Sequence, residues 1–426
     1  DSIQPLQVHA IILKKTLGGI SLLYNSSNRK WRSEKLSQMG SSIFSEVAAW
    51  KGEALKSGLD VIDLGIGSPD QPPSLEIRQV LSDAVLGEHS YSYPASKGGA
   101  AFRNKAAAWM KQRFGVTVDA DHEMVGLMGS QDGLAHLALA ICNPGDLAIV
   151  PDPGYPIYSG SLAIAGVRPW MLPLLKENHF LPDLDSIPDE VWREAVFILL
   201  NFPGNPVSTE VDIAYFDKLL TLAKKWDVLV VHDLAYSEMG FDGYRPISIL
   251  QVPGASDTAV EFHSFSKSFN MAGCRIGYMV GNREAVAALQ ELKSNIDYGV
   301  FEPIQEAAIA ALDLAMSDES YKGVAGIYEH RRNVFVEALA QEGWVVPLPK
   351  ATMFIWAPLP CSDFIPRSGG SREFARELLL KAGVALIPGD AFGSQGEGYV
   401  RIALVEDEER LLEAAKRIGR YLQGEK

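Results

Sequence analysis

Cysteine is scarce in this chain, and long apolar runs are lacking. Three cysteines stand far apart in the 426 residues, at Cys142, Cys274 and Cys361, so their spacing fits neither a disulfide framework nor a metal site. This favours a reducing compartment, and we expect a cytoplasmic protein that binds no metal. No apolar stretch is long enough to cross a membrane. Basic residues are outnumbered, with 39 Lys and Arg against 53 Asp and Glu, and the formal charge of −14 argues against nonspecific binding to nucleic acid or anionic membranes.

The first 33 residues differ from the remainder in charge. From residue 2 to residue 33 no acidic side chain occurs, whereas five basic ones do: Lys14, Lys15, Arg29, Lys30 and Arg32. A transit peptide has this composition and would direct the protein to a plastid. A variable N-terminal arm or added sequence fits as well, and we favour one of these and assign no function to the segment.

Apolar runs alternate with helical stretches through the middle of the chain. Ala195–Leu200 and residues 228–231 are almost continuously apolar, as parallel strands buried on both faces require. The predicted strands end at polar residues, namely Ser130, Asp152, Asn205, Asp233 and Ser264. We therefore predict an α/β fold with its functional residues at the carboxyl ends of the strands. Because no Gly-x-Gly-x-x-Gly motif opens a βα unit, a nucleotide ligand has little support.

Residues 261–278 carry the strongest chemical signal in the sequence. They read Glu-Phe-His-Ser-Phe-Ser-Lys-Ser-Phe-Asn-Met-Ala-Gly-Cys-Arg-Ile-Gly-Tyr, and Lys267 stands among small hydroxyl residues without a charged neighbour. A lysine held in this way can lose its proton and attack a carbonyl. Pyridoxal 5'-phosphate (PLP) is the usual aldehyde in that role, and Ser264, Ser266 and Arg275 could hold its phosphate. The alternative is a structural lysine at the end of a strand.

This segment resembles the cofactor-lysine motif of the class I and II aminotransferases, which are fold-type I enzymes that use PLP. The resemblance lies in Ser-x-Ser-Lys followed eight residues later by Arg275, and it extends from about Lys35 to the C-terminus. It implies a large α/β domain with a mostly parallel sheet, a smaller α+β lobe built from both chain ends, and a homodimer with shared active sites. The large domain would be residues 76–319, and the small one residues 34–75 with 320–426, after an extension at 1–33.

Other motifs follow in the order of that family, and the resemblance gives each a role. Ser130 and Gln131 begin a helix after a tight turn, and their N–H groups would bind the cofactor phosphate. Tyr155 would stack on the pyridine ring, and Asn205 would donate to the ring oxygen and lie beside the substrate. Each could instead belong to an ordinary turn or packed loop. Ser208 stands where the family usually has glycine, which affects a turn and leaves Asn205 in place.

The same resemblance assigns chemistry to Asp233, Tyr236, Arg401 and Gly67. A carboxylate at Asp233 would keep the pyridine nitrogen protonated, so that the ring withdraws electrons, and Tyr236 would bond to the ring oxygen. Arg401 alternates with apolar neighbours in a predicted strand, and its planar guanidinium suits bidentate capture of the substrate α-carboxylate. Gly67 would let the backbone approach that carboxylate. The alternatives are a helix cap at Asp233, a salt bridge at Arg401 and a plain turn at Gly67.

Tyr93 and Lys97 lie in a loop that resembles the family's Tyr-x-x-x-x-Gly segment. There Tyr93 would reach across the dimer interface to the cofactor phosphate of the partner subunit, unless it is only a packed loop aromatic. The family carries a glutamate in this region that can meet the distal ammonium of diaminopimelate. Lys97 would repel that ammonium and suit a distal carboxylate, unless its side chain points to solvent.

The whole pattern predicts a ping-pong aminotransferase. Lys267 would bond the cofactor and then move the substrate α-proton as general base and acid. The α-amino group of an L-amino acid would pass to a 2-oxo acid such as 2-oxoglutarate.

The motifs at residues 129–134, 153–156 and 241–246 are most similar to those of the LL-diaminopimelate aminotransferases, which act in lysine biosynthesis, and of their close relatives. Succinyl-diaminopimelate, aspartate and alanine aminotransferases stay open as alternatives. A β-eliminating C–S lyase of the same fold stays open too, whereas a regulator built on this fold lacks the basic DNA-binding module it would need.

Overall fold

A computed structural model describes residues 31, 33–37, 39, 42–88, 90–317, 323–360 and 369–424. The chain divides into two units, residues 1–34 and residues 35–426. In the first unit only residues 31, 33 and 34 are described, so the predictions made for the N-terminal extension lie outside the described residues. Nowhere in the described ranges is there a helix long and apolar enough to span a membrane.

The second unit alternates helices and strands. Its α-helices are α1 (Ser42–Lys56), α2 (Leu75–Leu86), α3 (Ala100–Phe114), α4 (Ser130–Ile141), α5 (Ile157–Ala165), α6 (Asp189–Glu194), α7 (Ile213–Trp226), α8 (Phe265–Ser268), α9 (Arg283–Ile296), α10 (Glu302–Ser317), α11 (Ala325–Gln341), α12 (Gly370–Ala382) and α13 (Glu408–Leu422). Its strands are β1 (Ile62–Asp63), β2 (Met124–Leu127), β3 (Leu147–Asp152), β4 (Arg168–Pro173), β5 (Ala195–Leu200), β6 (Leu229–Asp233), β7 (Ala259–Ser264), β8 (Gly277–Gly281), β9 (Phe354–Pro358), β10 (Val384–Ala385), β11 (Ile387–Pro388) and β12 (Tyr399–Ala403).

A seven-stranded sheet in the order β2-β8-β7-β6-β5-β3-β4 forms the centre of the fold. The pairs β7-β6, β6-β5, β5-β3 and β3-β4 are parallel, whereas β8 is antiparallel to both β7 and β2. The connection from β7 to β8 contains α8, which is a single helical turn, and no helix long enough to pack across the sheet and bring the next strand in parallel. The predicted α/β class and the mostly parallel sheet are confirmed.

Helices cover both faces of this sheet. On one face α3, α7 and α10 pack an apolar core against it, and on the other α4, α5 and α9 do the same. Strands covered on both sides must be apolar along their length, which explains the run Ala-Val-Phe-Ile-Leu-Leu in β5. With the helical layers in place, the ends of the strands are the main places left for a polar site that a ligand can reach.

A second, smaller core surrounds the antiparallel sheet β11-β12-β9 and the pair β1-β10. Helices α11 and α13 pack against each other in this core. Strand β1, which precedes the strands of the large sheet in the sequence, joins it by pairing with β10. The predicted boundaries at residues 75/76 and 319/320 stay a prediction.

The carboxyl ends of β2, β3, β5, β6 and β7 meet at one edge of the large sheet, because these strands share one direction. The polar residues predicted to end strands therefore gather in one place. Strand β12 of the small sheet and the loop after β1 lie over that edge, since Arg401 on β12 contacts both Asn205 and the carbonyl of Gly65.

Candidate functional site

A cavity of about 450 Å³ opens at this edge of the sheet. Twelve of the predicted site residues line it: Gly67, Ser130, Gln131, Tyr155, Asn205, Asp233, Tyr236, Ser264, Ser266, Lys267, Arg275 and Arg401. They come from both sheets and from the loops between, so residues more than 300 positions apart in the sequence share one chamber. The two remaining predicted residues, Tyr93 and Lys97, are not among the described residues that line it.

Lys267 lies in α8, the short helix that follows β7. The Ser264 hydroxyl caps this helix by accepting a hydrogen bond from the Ser266 N–H at 3.2 Å. The Lys267 ammonium donates to the carbonyl of Gly67, across the cavity. Burial, followed by the positive charges of Arg401 and Arg275, lowers the pKa of Lys267 from 10.5 to about 8. A lysine in this state supplies the neutral amine near physiological pH.

Arg401 is a buried cation without a carboxylate partner in the described part of the chain. Its Nη1 donates to Asn205 Oδ1 at 2.9 Å and its Nη2 to the carbonyl of Gly65 at 2.6 Å, while Nε is buried and unpartnered. The guanidinium lies 4.4 Å from the ring centre of Phe354 and 5.0 Å from that of Phe392. Burial lowers the pKa of Arg401 to about 10, so the group stays charged at neutral pH. A desolvated cation with a free N–H is a receptor for a carboxylate.

Asp233, the last residue of β6, presents one free carboxylate oxygen. Its Oδ2 accepts from the Tyr158 hydroxyl at 2.8 Å, and Oδ1 is buried without a partner. Burial raises the pKa of Asp233, and the hydrogen bond from Tyr158 and the charges of His232 and His263 oppose that rise. A buried acceptor atom left unpaired costs about 1–3 kcal/mol, which a donor on a bound ligand would recover.

The turn between β2 and α4 presents backbone N–H groups that an anion could bind. Gly129 holds φ +79, and the first N–H groups of α4, at Ser130 and Gln131, have no partner within the helix. A Cβ built on Gly129 would lie 2.6 Å from Arg275 Nη2, so only glycine lets that guanidinium approach the helix end. Arg275 also contacts the Ser266 hydroxyl at 3.4 Å.

Two tyrosines, Tyr155 and Tyr236, also line the cavity. The Tyr155 hydroxyl donates to Gln131 Oε1 at 3.2 Å, which leaves its ring along the cavity. Tyr236 is buried against the ring of Phe354 at 5.8 Å. Burial raises the pKa of both phenols, so both remain neutral hydrogen-bond donors at physiological pH.

The loop residues Tyr93 and Lys97 lie apart from the cavity lining. Tyr93 is 84% exposed and contacts Tyr298 with ring centres 5.0 Å apart. Lys97 Nζ lies 3.7 Å from Asp121 Oδ1.

Sequence reasoning missed several residues that shape the site. Tyr158 holds Asp233, and Asn201 Nδ2 donates to the Asp233 carbonyl at 2.6 Å. Phe354 and Phe392 flank Arg401, and one face of α1, with Phe44, Val47, Ala48 and Lys51, lines the cavity opposite the sheet. None of these contacts had a local sequence signal, because in each the partners come from separate segments of the chain.

Comparison with known proteins agrees with this geometry. The family model "Aminotransferase class I and II" matches residues 59–418. The chain is 43% identical to the LL-diaminopimelate aminotransferase of Gloeobacter violaceus, over 90% of this chain and 96% of that protein. It is 42% identical to the LL-diaminopimelate aminotransferase of Aquifex aeolicus, over 91% of this chain and 98% of that one.

Solved structures agree as well. A substrate-bound BacF structure from Bacillus subtilis superposes with a TM-score of 0.86 at 33% identity, covering 92% of this chain and 98% of the other. A probable N-succinyldiaminopimelate aminotransferase from Thermus thermophilus superposes with a TM-score of 0.82 at 38% identity, covering 89% of this chain and 100% of the other. The chain therefore belongs to the aminotransferase class I and II family, and it is an aminotransferase.

Proposed function

We propose that this aminotransferase uses PLP and moves the α-amino group of an L-amino acid to a 2-oxo acid such as 2-oxoglutarate, with LL-diaminopimelate as the first candidate donor. One observation carries the proposal. Lys267, with a pKa lowered to about 8, shares a cavity with a buried unpaired arginine and a buried carboxylate that has one free oxygen.

The residues present fit PLP at each of its polar groups. Asp233 Oδ1 is a buried acceptor without a partner, as a protonated pyridine nitrogen requires. The amide oxygen of Asn205 accepts from Arg401, so the NH2 group of Asn205 can donate to the ring oxygen of PLP. The neutral Tyr236 hydroxyl can donate to the same oxygen. The ring of Tyr155 forms a wall on which a flat heterocycle would stack.

The phosphate would be held at the β2–α4 turn. Ser130 and Gln131 supply backbone N–H groups at a helix N-terminus, Arg275 supplies a guanidinium, and Ser264 and Ser266 supply hydroxyls. Helix ends and arginine together favour a dianion through hydrogen bonds as well as charge.

The chemistry of the chain's own residues follows from these positions. When bound, PLP supplies an aldehyde that condenses with amines and a ring that withdraws electrons from the substrate Cα. Arg401 binds the α-carboxylate and thereby orients the Cα–H bond. The Lys267 amine would accept the α-proton of the bound amino acid and later give it back, which a pKa near 8 allows in both directions. Reversal of the same steps with a 2-oxo acid completes the ping-pong cycle.

We further propose a homodimer in which Tyr93 reaches the phosphate of the partner subunit's cofactor. The support is the exposure of Tyr93 and of its neighbours Tyr91 and Tyr298, which are 84%, 65% and 62% exposed on the isolated chain. A Tyr93→Phe variant would then bind PLP about 10- to 150-fold more weakly, since a charge-assisted hydrogen bond contributes about 1.5–3 kcal/mol. Full activity of a monomer in sedimentation would contradict the shared site.

The donor is inferred from the relatives together with the charges near the site. Curated relatives at 43% and 42% identity are LL-diaminopimelate aminotransferases. Lys97 would disfavour a distal ammonium, but its contact with Asp121 at 3.7 Å partly balances its charge, so LL-diaminopimelate keeps first place. The Thermus thermophilus structure makes N-succinyl-diaminopimelate the second candidate.

The test is a panel of half-reactions on PLP-loaded protein. LL-diaminopimelate, N-succinyl-LL-diaminopimelate, aspartate, glutamate and alanine are added singly without an acceptor, and the spectrum of the bound cofactor is followed to that of pyridoxamine phosphate. Rapid conversion with LL-diaminopimelate supports the proposal, and conversion with the succinyl donor alone selects the second candidate. If no donor converts the cofactor, elimination products should be sought, since a β-eliminating lyase would release ammonia and an oxo acid.

Lys267→Ala provides the second test. It should abolish turnover, because the other lysine among the described residues that line the cavity, Lys51, is paired with Asp63 at 2.5 Å. Transamination retained by this variant would refute the assignment of the lysine.

A further inference from the structure

Behind Asp233 lies a cluster of ionisable groups that the proposed chemistry does not use. His232 on β6 and Glu261 on β7 are neighbours in the parallel register, and both side chains are 0% exposed. His232 Nδ1 lies 2.8 Å from Glu261 Oε2, and His263 Nε2 lies 2.8 Å from Glu261 Oε1. Buried charges are costly unless they are paired, so this arrangement calls for an explanation.

Glu261 is surrounded by hydrogen-bond donors. Besides the two histidines, it accepts from the Ser248 hydroxyl at 2.7 Å and from the Ile249 N–H at 2.9 Å. Burial alone would raise the pKa of Glu261, but the hydrogen bonds from His232 and His263 outweigh it and lower the pKa to about 2. The carboxyl group is therefore ionised and has no proton to give to His232.

Both ring nitrogens of His232 face acceptors. Nδ1 meets the Glu261 carboxylate, and Nε2 lies 3.0 Å from the carbonyl oxygen of Phe202, which can only accept. A neutral imidazole carries only one N–H. Its other nitrogen would be an acceptor that faces another acceptor, the oxygen of Glu261 or of Phe202. The arrangement is satisfied only if both nitrogens carry hydrogen, which makes His232 an imidazolium.

The position of this cation links it to the proposed cofactor site. His232 precedes Asp233 directly, and its positive charge acts against the burial that would neutralise Asp233. Its Nε2 also contacts the carbonyl of Phe202. The preceding residue, Asn201, donates from its side chain to the Asp233 carbonyl and accepts from the Asn205 N–H. Among the described residues, Glu261 is the charged group in contact with His232, and His263 lies beyond Glu261. Asp233, the next residue of the strand, feels the charge of His232 without contacting its ring.

We propose that His232 is a positioning residue that stays doubly protonated, keeps Asp233 ionised for the pyridine nitrogen of the cofactor, and fixes the turn that carries Asn205. This inference rests on the proposed function, because the pyridine nitrogen belongs to PLP. The protonation of His232 can nevertheless be observed without turnover.

The first test is neutron diffraction from crystals of the deuterated, PLP-loaded protein at neutral pH. We expect deuterium on both ring nitrogens of His232 and none on the Glu261 carboxyl. A bare nitrogen on His232, or a deuteron on Glu261, would overturn the proposal. This measurement uses the unaltered chain, so it decides the protonation even if substitutions in the cluster prevent folding.

The second test separates an electrostatic role from a merely structural one. Binding of PLP is compared with binding of its carbocyclic analogue, in which a C–H group replaces the ring nitrogen. If His232→Gln makes Asp233 harder to ionise by one pKa unit, PLP should bind about tenfold more weakly. Binding of the analogue should change less than about twofold, because it offers Asp233 no N–H.

Two further variants provide the controls. Glu261→Gln removes the negative partner and should reproduce the selective loss of PLP affinity. His330→Gln replaces an exposed histidine on α11 that pairs with Glu408, and it should leave both affinities unchanged. If His232→Gln lowers the affinity for PLP and the affinity for the analogue equally, the role of His232 is only structural and the proposal is overturned. Failure of the unaltered protein to bind PLP would instead refute the proposed function, whatever the neutron map shows.

Discussion

Replacement of Arg401 by lysine tests how the substrate carboxylate is bound. Lysine keeps the positive charge at the end of β12, but it cannot form two parallel N–H bonds or lie flat between two rings. In the unaltered protein the guanidinium is fixed by Asn205 Oδ1 and the Gly65 carbonyl, with its Nε left for a ligand. The side chain is therefore oriented before the substrate arrives.

The size of the effect follows from these contacts. Loss of one charge-assisted hydrogen bond costs about 1.5–3 kcal/mol, and weaker cation–π contacts with Phe354 and Phe392 cost about 1 kcal/mol more. Together they predict a fall in kcat/KM for the amino acid donor of roughly 10²- to 10³-fold. The affinity for PLP should stay within about twofold, since Arg401 is assigned to the substrate.

Stopped-flow half-reactions over a range of donor concentrations would measure this. A primary amine without an α-carboxylate is the comparison substrate, and its slow reaction should be unaffected by Arg401→Lys. Arg283→Lys, at a 60% exposed arginine of α9 that pairs with Glu123, is the matched control. If the amine loses as much rate as the amino acid, or the amino acid loses less than about threefold, carboxylate binding by Arg401 is refuted.

Three further predictions concern the same cavity. Because its pKa falls from 10.5 to about 8 on folding, Lys267 binds its proton less well in the folded apoprotein, so its contribution to stability rises with pH from 8 to 10.5. Lys267→Met should thus raise the unfolding free energy of the apoprotein at pH 7 by on the order of 3 kcal/mol, and urea titrations near pH 10.5 should show no such gain. Asp233→Asn keeps the shape but loses the charge, so turnover should fall by about 10²-fold or more; a fully active variant in steady-state assays would contradict this. Gly67→Ala would bring a Cβ to 2.9 Å from the Phe354 ring and 3.6 Å from Arg401 Nη1, so KM for the donor should rise about tenfold while PLP titration stays normal, and an unchanged KM would count against a substrate carboxylate at this place.

Several elements could be predicted from local sequence because their limits are encoded locally. Helix α3 occupies Ala100–Phe114, since Gly99 precedes it and Gly115 ends it in the left-handed region at φ +71. Strand β5 likewise coincides with its apolar run Ala195–Leu200. In both cases residues within a turn of the boundary determine where the element stops.

The arrangement of the site illustrates the limit of such reasoning. Sequence order and the family resemblance named Lys267, Asp233, Asn205 and Arg401, and the fold brings all of them to one cavity. No pattern indicated that Tyr158 would hold Asp233, because the partner lies 75 residues away and the contact exists only after β3 and β6 enter the same sheet. The substrate role given to Lys97 stays a prediction, and its contact with Asp121 became visible only in the folded chain.

The sequence by itself determined the alternation of buried strands and helices, and with it the α/β class and the edge where polar residues collect. It also determined which side chains can do chemistry, because residue types and their order are local facts. Only the tertiary structure decided the antiparallel insertion of β8, the rings around Arg401, the lowered pKa values of Lys267 and Glu261 and the hydrogen-bond partners of His232. The reason is physical: a protonation state depends on desolvation and on every neighbouring charge, and those neighbours come from strands and helices that are distant in the chain.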